Sequence, residues 1–217
     1  MLLNFSILQA QVLIKVEMDE AVIAARKFPW AIKLIANQVS VISAKEIAQA
    51  NQANTADLLQ NSGQVLVQKS QQGGGSPIMR GFEANKILLV VDGVRMNNAI
   101  YRAGHLQNSI TIDQFSLEKI EIVNGPGSVL YGSDALGGVI HFYTKSPAFS
   151  NSKKILVKGN VASRYATTNN EITNQVSLSV ANNKWGSYTS YTQSAFGDLR
   201  QGANRSAAMG DLGKRNF

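Results

Sequence analysis

Between Ile172 and Val180 the chain alternates in character: Ile172, Val176, Leu178 and Val180 share one parity, while Thr173, Gln175, Ser177 and Ser179 share the other. Successive side chains of a strand point to opposite faces, so this segment presents one apolar and one polar face. That two-residue period is the pattern of a transmembrane barrel strand, whose apolar face meets lipid and whose polar face meets the lumen. Ile155 to Tyr165 repeats it less cleanly, and Trp185 to Phe196 is rich in aromatics, as the interfacial girdles of such barrels are. Asn182-Asn183-Lys184 is short enough for a hairpin turn, and Asp198 to Phe217 reads as a long polar loop. No run of about 18 apolar residues occurs, which excludes an ordinary transmembrane helix. A chain of this kind is either soluble or meets a membrane through strands.

Charge and cysteine content narrow the function classes. Charged residues make up only 16% of the 217 residues, against roughly 25% in soluble domains, so Gln, Asn, Ser and Thr must supply much of the polar surface. The net charge of +7 is uneven, with 12 Lys/Arg against 11 Asp/Glu in residues 1–150 and 9 against 3 in residues 151–217. These cations are scattered singly through alternating sequence, not clustered into the basic stripe of a nucleic-acid binder, and no nucleic-acid partner is expected. With no cysteine, neither a disulfide framework nor a thiolate metal site can form. The partly apolar stretch Leu2 to Ala10 reads equally as the remnant of a secretory signal or as a plain leader strand, because no basic residue precedes it and Leu8 spoils a small-x-small cleavage pattern.

The grain of the chain suggests three parts: an extended, irregular segment over residues 1–38, a compact α+β domain with a small mixed sheet over 39–150, and strands with turns over 151–217. In the middle part, Ser43 and Glu46 form a capping box that predicts a helix. Ile47, Ala50, Ala53 or Asn54, Leu58 and Leu59 continue near helical period to a stop at Ser62-Gly63. Val65 to Val67 and Ile78 to Phe82 read as strands around a glycine loop from Gln71 to Ser76. Ile87-Leu88-Leu89-Val90-Val91 reads as a strand buried on both faces, ended by the turn pair Asp92-Gly93. Lys119 to Val123 and Val139 to Thr144 complete the sheet, the latter carrying His141 as a packing or lumen-facing residue.

Two glycine-bearing runs carry a specific resemblance. KIEIVNGPGSVLYGSDALGGVIHFY, residues 119–143, resembles the C-terminal signature of the plug domains of TonB-dependent outer-membrane receptors, and MRGFEANKILLVVDGVRMNN, residues 79–98, resembles their central signature. Ala56-Asp57-Leu58-Leu59 is similar to the family's early helix, so the match covers about residues 39–148. Within these runs Asp92, Gly93, Gly125, Pro126, Gly127, Tyr131, Gly132, Gly137 and Gly138 are the signature positions. Glycine there allows positive φ and close backbone approach, which suits a small globule inside a pore. A phosphate-loop reading fails, because Gly125-Pro126-Gly127-Ser128 has no Gly-Lys-Ser/Thr ending and Pro126 removes a backbone donor.

What the resemblance implies is an outer-membrane receptor that imports a scarce nutrient such as haem, an iron-siderophore or another large ligand, with the plug gating the barrel. Asp19-Glu20-Ala21-Val22-Ile23-Ala24-Ala25-Arg26 stands where the family contacts the periplasmic coupling protein TonB, by strand addition to a sheet edge; Ala24-Ala25 departs from the commoner Thr-Ala. Arg80, flanked by apolar residues in a strand, is implied to pair with carboxylates on the barrel wall, since a buried guanidinium needs a partner. The loop bearing Asn97, Asn98, Tyr101, Arg102 and His105 is implied to face the ligand, and His105 is the better haem-ligand candidate of the chain's two histidines. Outer-membrane lipid is the third partner after TonB and the nutrient; no cofactor, metal or catalytic residue is expected. Barrels of this kind close at about 22 strands, whereas this sequence offers about three, so the wall is expected to be the opening of a truncated transmembrane β-barrel and the gene to continue. A β-rich periplasmic or extracellular adhesion module would explain the Asn/Ser/Thr-rich tail but not the ordered signatures, and an enzyme lacks any grouped nucleophile, base and orienting residue.

Overall fold

The computed structural model describes residues 21–22, 30–31, 38–69, 75–83, 86–96, 108–150 and 153–197. In chain order the elements are β1 (Ala21–Val22), β2 (Trp30–Ala31), β3 (Gln38–Ser43), α1 (Ala44–Ala50), α2 (Thr55–Asn61), β4 (Leu66–Gln68), β5 (Ser76–Ile78), β6 (Ile87–Val91), β7 (Val94–Arg95), β8 (Leu117–Asn124), α3 (Ser128–Tyr131), β9 (Gly138–Thr144), β10 (Leu156–Ala166), β11 (Glu171–Ala181) and β12 (Gly186–Ala195). No helix among the described residues is long and apolar enough to cross a membrane.

A five-stranded mixed sheet, ordered β3-β8-β9-β6-β7, organises the N-terminal globule. β6 and β9 run parallel at its centre, and β8 pairs antiparallel with both β9 and β3. As the unbroken apolar run predicts, Ile87, Leu88, Leu89 and Val90 are all buried. Ile87 and Leu89 join Ile42, Ile47, Leu58, Leu59, Ile120, Ile122, Ile140 and Phe142 under the helices. Leu88 and Val90 join Val123, Ala135 and Val139 on the opposite face, beneath the glycine-rich segment that carries α3. The two faces need different shapes: at Gly138 an added Cβ would stand 2.7 Å from the Val123 carbonyl oxygen and 2.6 Å from the Met79 methyl. No side chain fits there.

Local outcomes both match and depart from the sequence expectations. The capping box forms, with the Ser43 amide donating to Glu46 Oε2 at 2.7 Å and Glu46 N–H donating back to Ser43 Oγ. The single helix expected through Leu59 is instead two, because Asn51 turns left-handed at φ 45° and ends α1, while Asn54 recaps α2 by accepting from the Asp57 amide. Asn tolerates the left-handed conformation better than most residues, and short polar side chains favour caps over helix interiors. β3, which no strand signal marked, pairs with β8 over six residues.

The strand expected over Ile78 to Phe82 stops at Ile78; Met79 and Phe82 then bond each other in both directions across Arg80 (φ 52°) and Gly81 (φ 79°). Two positive φ values make a tight turn of the kind that joins hairpin strands. Arg80 is therefore an exposed turn residue and not a buried strand residue. Asp92 and Gly93 make the expected turn between β6 and β7, at φ 47° and 85°.

The three C-terminal strands form a separate antiparallel sheet, β10-β11-β12, of 11, 11 and 10 residues. That length matches the roughly 9–11 residues of a tilted membrane-spanning strand. The sheet is unclosed, and its burial is inverted relative to a soluble sheet. Glu171, Thr173, Gln175 and Ser177 are buried at 1%, 2%, 1% and 7% exposure, while Ile172, Val176 and Leu178 between them stand 49%, 53% and 47% exposed. Val157, Val161 and Tyr165 on β10 and Tyr191 on β12 extend the exposed apolar face. The parity read from the sequence holds, and its polar side is the one that packs against the globule.

Candidate functional site

The contact between the globule and the polar face of the sheet is where the sequence patterns converge. Asp113 begins a short 3-10 turn by accepting from the Phe115 amide at 3.0 Å, and the same carboxylate accepts from Thr192 Oγ1 on β12 at 2.6 Å. Ser116, in that turn, lies 2.9 Å from Ser190, hydroxyl to hydroxyl. On β10, Arg164 donates its Nε to the Asn51 carbonyl at 3.1 Å and pairs through Nη1 with Glu171 on β11. The Ala148 amide reaches Ser179 Oγ at 3.3 Å. Among the described residues, globule and sheet thus meet through hydroxyls, one carboxylate of the globule and one guanidinium of the sheet.

Among the described residues, two cavities lie along this seam. One, of about 250 Å³, is lined among others by Ile47, Asn51, Gln114, Lys145, Arg164 and Gln175. The other, of about 370 Å³, lies between Thr55 and Asp113 on the globule and Thr192 and Phe196 on the sheet side. Gln114 Oε1 and Gln175 Nε2 are buried with no hydrogen-bond partner among the described residues, although Gln114 Nε2 donates to the Gln52 carbonyl at 2.5 Å. A seam built of small hydroxyls and unsatisfied amides is polarly packed, unlike the two apolar clusters that flank the sheet of the globule.

A second polar cluster lies inside the globule. Glu121, fully buried, accepts from Lys119 Nζ at 2.6 Å and from the Tyr143 hydroxyl at 3.1 Å. His141, directly across the strand pair from Glu121, stacks on Tyr143 at 4.1 Å and accepts from the Gly93 amide through Nε2 at 3.1 Å. Burial pushes the His141 pKa down, against the opposing pull of Glu121 and Asp92; the accepting Nε2 is in any case that of a neutral ring. Burial, and then the charge of Glu121, push the Tyr143 phenol up. This cluster ties β9 to the β6–β7 turn and leaves His141 Nε2 engaged.

The positions singled out in the sequence fall unevenly. Ala21 and Val22 form β1, paired with Ala31 and Trp30 of β2, while Asp19, Glu20, Ile23, Ala24, Ala25 and Arg26 lie outside the described residues. Asn97, Asn98, Tyr101, Arg102 and His105 also lie outside them. Arg80 leans toward Gly125, where an added Cβ would stand 3.2 Å from Nη1. Gly125 and Gly132 take positive φ, at 102° and 89°, whereas Gly127 and Gly137 are close-approach sites against Val139 and Phe82. Pro126 is exposed, and Tyr131 ends α3 partly buried against Val139's cluster. Sequence reasoning missed Asn51, Asp113, Ser116, Arg164, Glu171, Ser190 and Thr192. Parity alone would have found four of them, since Glu171 shares the face of Thr173, Gln175 and Ser177, and the pairings Arg164 with Thr173, Thr192 with Gln175 and Ser190 with Ser177 carry that face to β10 and β12.

A family model described as TonB-dependent Receptor Plug Domain matches residues 32–139. The chain is 35% identical over 142 residues to the Vitamin B12 transporter BtuB of Vibrio vulnificus strain CMCP6, covering 63% of this chain and 22% of that protein. It is 39% identical over 111 residues to the Hemin receptor of Yersinia pestis, covering 51% of this chain and 16% of that protein. The chain therefore spans about a fifth of the length of these relatives. Among solved structures, FpvA of P. aeruginosa bound to a heterologous pyoverdine and iron aligns with a TM-score of 0.60 at 16% identity, over 73% of this chain and 20% of that one. The alcaligin outer-membrane receptor FauA of Bordetella pertussis aligns at 0.58 and 18% identity, over 80% and 29%.

Proposed function

This chain belongs to the TonB-dependent receptor family through its plug domain, and from that premise we propose that it supplies the plug and the first wall strands of an outer-membrane importer of a large, scarce nutrient. The single observation that carries this reading is the inverted sheet: β11 buries Glu171, Thr173, Gln175 and Ser177 against the plug and exposes Ile172, Val176 and Leu178 outward. In water such a face would be an association hazard; against hydrocarbon it is the stable arrangement. The polar, cavity-bearing seam supports a plug that is held in the lumen but able to move, since hydroxyl contacts exchange readily with water.

The nutrient class follows the relatives and one loop. Curated relatives carry the names of a vitamin B12 transporter and a hemin receptor, and Tyr101, Arg102 and His105 combine an aromatic face, a fixed cation and an imidazole, groups that fit a planar, carboxylate-bearing molecule such as haem. Residues 19–26 are the contact for the coupling protein. Among the described residues the pairing of β1 with β2 spans two residues on each strand, and a partner sheet edge would take over main-chain bonds of this kind. The receptor resides in the outer membrane, plug in the lumen and N-terminus periplasmic.

Uptake of haem by cells in which this receptor is the sole haem route tests the reading. Cells with a functional coupling protein should accumulate haem, and isogenic cells lacking it should bind haem at the surface without accumulating it. Equal accumulation in both would overturn the proposal.

A further inference from the structure

We propose that Arg164 is a positioning residue for the plug, a catch by which the wall holds the end of α1 and which must let go before the plug moves. The inference rests on the gated-receptor reading above and adds the residue at which the closed state is held.

The acceptor is created by the break between the two helices. Had one helix continued from Ala44 through Leu59, the Asn51 carbonyl would have been spent on an amide four residues on. Because Asn51 ends α1 in the left-handed conformation, its carbonyl faces outward and accepts from Arg164 Nε at 3.1 Å. A cation at the C-terminal end of a helix is favourably placed for such a bond.

The donor is held ready from the wall side. Arg164's side chain is 12% exposed and pairs with Glu171, whose own side chain is 1% exposed. Glu171 Oε1 also accepts from Thr173 Oγ1 at 3.0 Å, and Thr173 in turn bonds Ser194 on β12 at 2.9 Å. The guanidinium is thus fixed by a chain of contacts running across all three wall strands. Charge-assisted bonds are roughly twice as strong as neutral ones, which sets this contact apart from the hydroxyl pair of Ser116 and Ser190 on the same seam.

Release has room and a direction. The cavity of about 250 Å³ is lined by both Asn51 and Arg164, with Lys145 and Gln175 beside them, so the guanidinium can swing off the carbonyl and stay paired with Glu171. In chain order, a pull on the N-terminal segment reaches the edge strand β3, then α1, and then Asn51. The catch sits at the end of the first helix such a pull would load.

The full receptor in planar lipid bilayers, with urea added on the plug side, reports plug release as the onset of conductance. Arg164→Lys keeps a cation for Glu171 but loses the Nε donor, and the double variant Arg164→Gln with Glu171→Gln removes both charges without stranding either one. Each should raise the open-channel fraction at a fixed, sub-threshold urea concentration about tenfold, while haem binding and the heat-modifiable gel mobility of the folded wall stay as in the parent. An open fraction equal to the parent's in both variants, or a rise accompanied by equal loss of haem binding and wall folding, overturns the catch. A parent receptor that never conducts under urea while its wall stays folded would instead overturn the gated-receptor reading beneath it.

Discussion

Replacing Val176 with Arg separates a lipid-facing strand from an exposed strand in water. β11 has 11 residues, and Val176 lies five from each end, on the outward face and 53% exposed. At about 3.3 Å per residue and a tilt of about 40°, the strand spans about 25 Å along the membrane normal, which equals the usual apolar band. Val176 then sits about 13 Å from either interface, near the midplane. An arginine there should destabilise the receptor by about 2–4 kcal/mol, and one at Ile172, a residue from the strand's start, by only about 0–1 kcal/mol. On a water-exposed sheet both changes would stay within about 0.5 kcal/mol. Reversible urea titration of the receptor refolded into phospholipid vesicles measures both. A Val176→Arg variant as stable as the parent, or an Ile172→Arg variant that loses as much as Val176→Arg, would refute the membrane depth assigned to this strand.

Three further outcomes follow from the same structure. Val22→Pro, which removes a main-chain donor from the coupling segment, should abolish energised uptake and leave surface haem binding unchanged; unchanged uptake would remove residues 19–26 from that role. His105→Ala should weaken haem binding tenfold or more, about 1.4 kcal/mol, in a direct titration, and parent-like affinity would contradict the haem assignment while leaving the family intact. His141 titrates below its unfolded value of about 6.5 because it is buried, so its stability contribution is complete above about pH 6.5 and is lost as pH falls through the lower folded value. Between about pH 7.5 and 5.5, plug stability should therefore fall less steeply in His141→Asn than in the parent, with identical slopes counting against a neutral, buried His141.

Legibility tracked how local each signal is. The β6 run, the Asp92-Gly93 turn, the Ser43 capping box and the parity of β11 are each written in adjacent residues, and each formed as expected. The split at Asn51 was hidden because Ala50, Ala53 and Leu58 keep helical spacing across it, and only the left-handed Asn reveals the break. β3 escaped because its six residues, Gln-Val-Ser-Val-Ile-Ser, are partly buried on an edge and gain their pairing from β8, some 80 residues away. Arg80 was misplaced because its neighbours Ile78, Met79 and Phe82 look like a strand, whereas Gly81 permits a turn of positive φ. The seam was illegible for a different reason. Asp113, Ser116, Ser190 and Thr192 become a site only when a turn in the plug meets the polar face of the wall, a pairing across some 75 residues that no run of sequence records.

A reversible staple across that seam tests the gating account most directly. Ser116 and Ser190 face each other with hydroxyls 2.9 Å apart, close enough for the roughly 2 Å sulfur separation of a disulfide after small side-chain rotation, and these 217 residues contain no cysteine to compete. In cells carrying Ser116→Cys with Ser190→Cys, haem uptake should fall under oxidising conditions to the level of cells lacking the coupling protein, with surface binding retained, and return when a reductant opens the bond. Uptake at the parent rate with the disulfide demonstrably formed would contradict a plug that must leave this wall for the nutrient to pass.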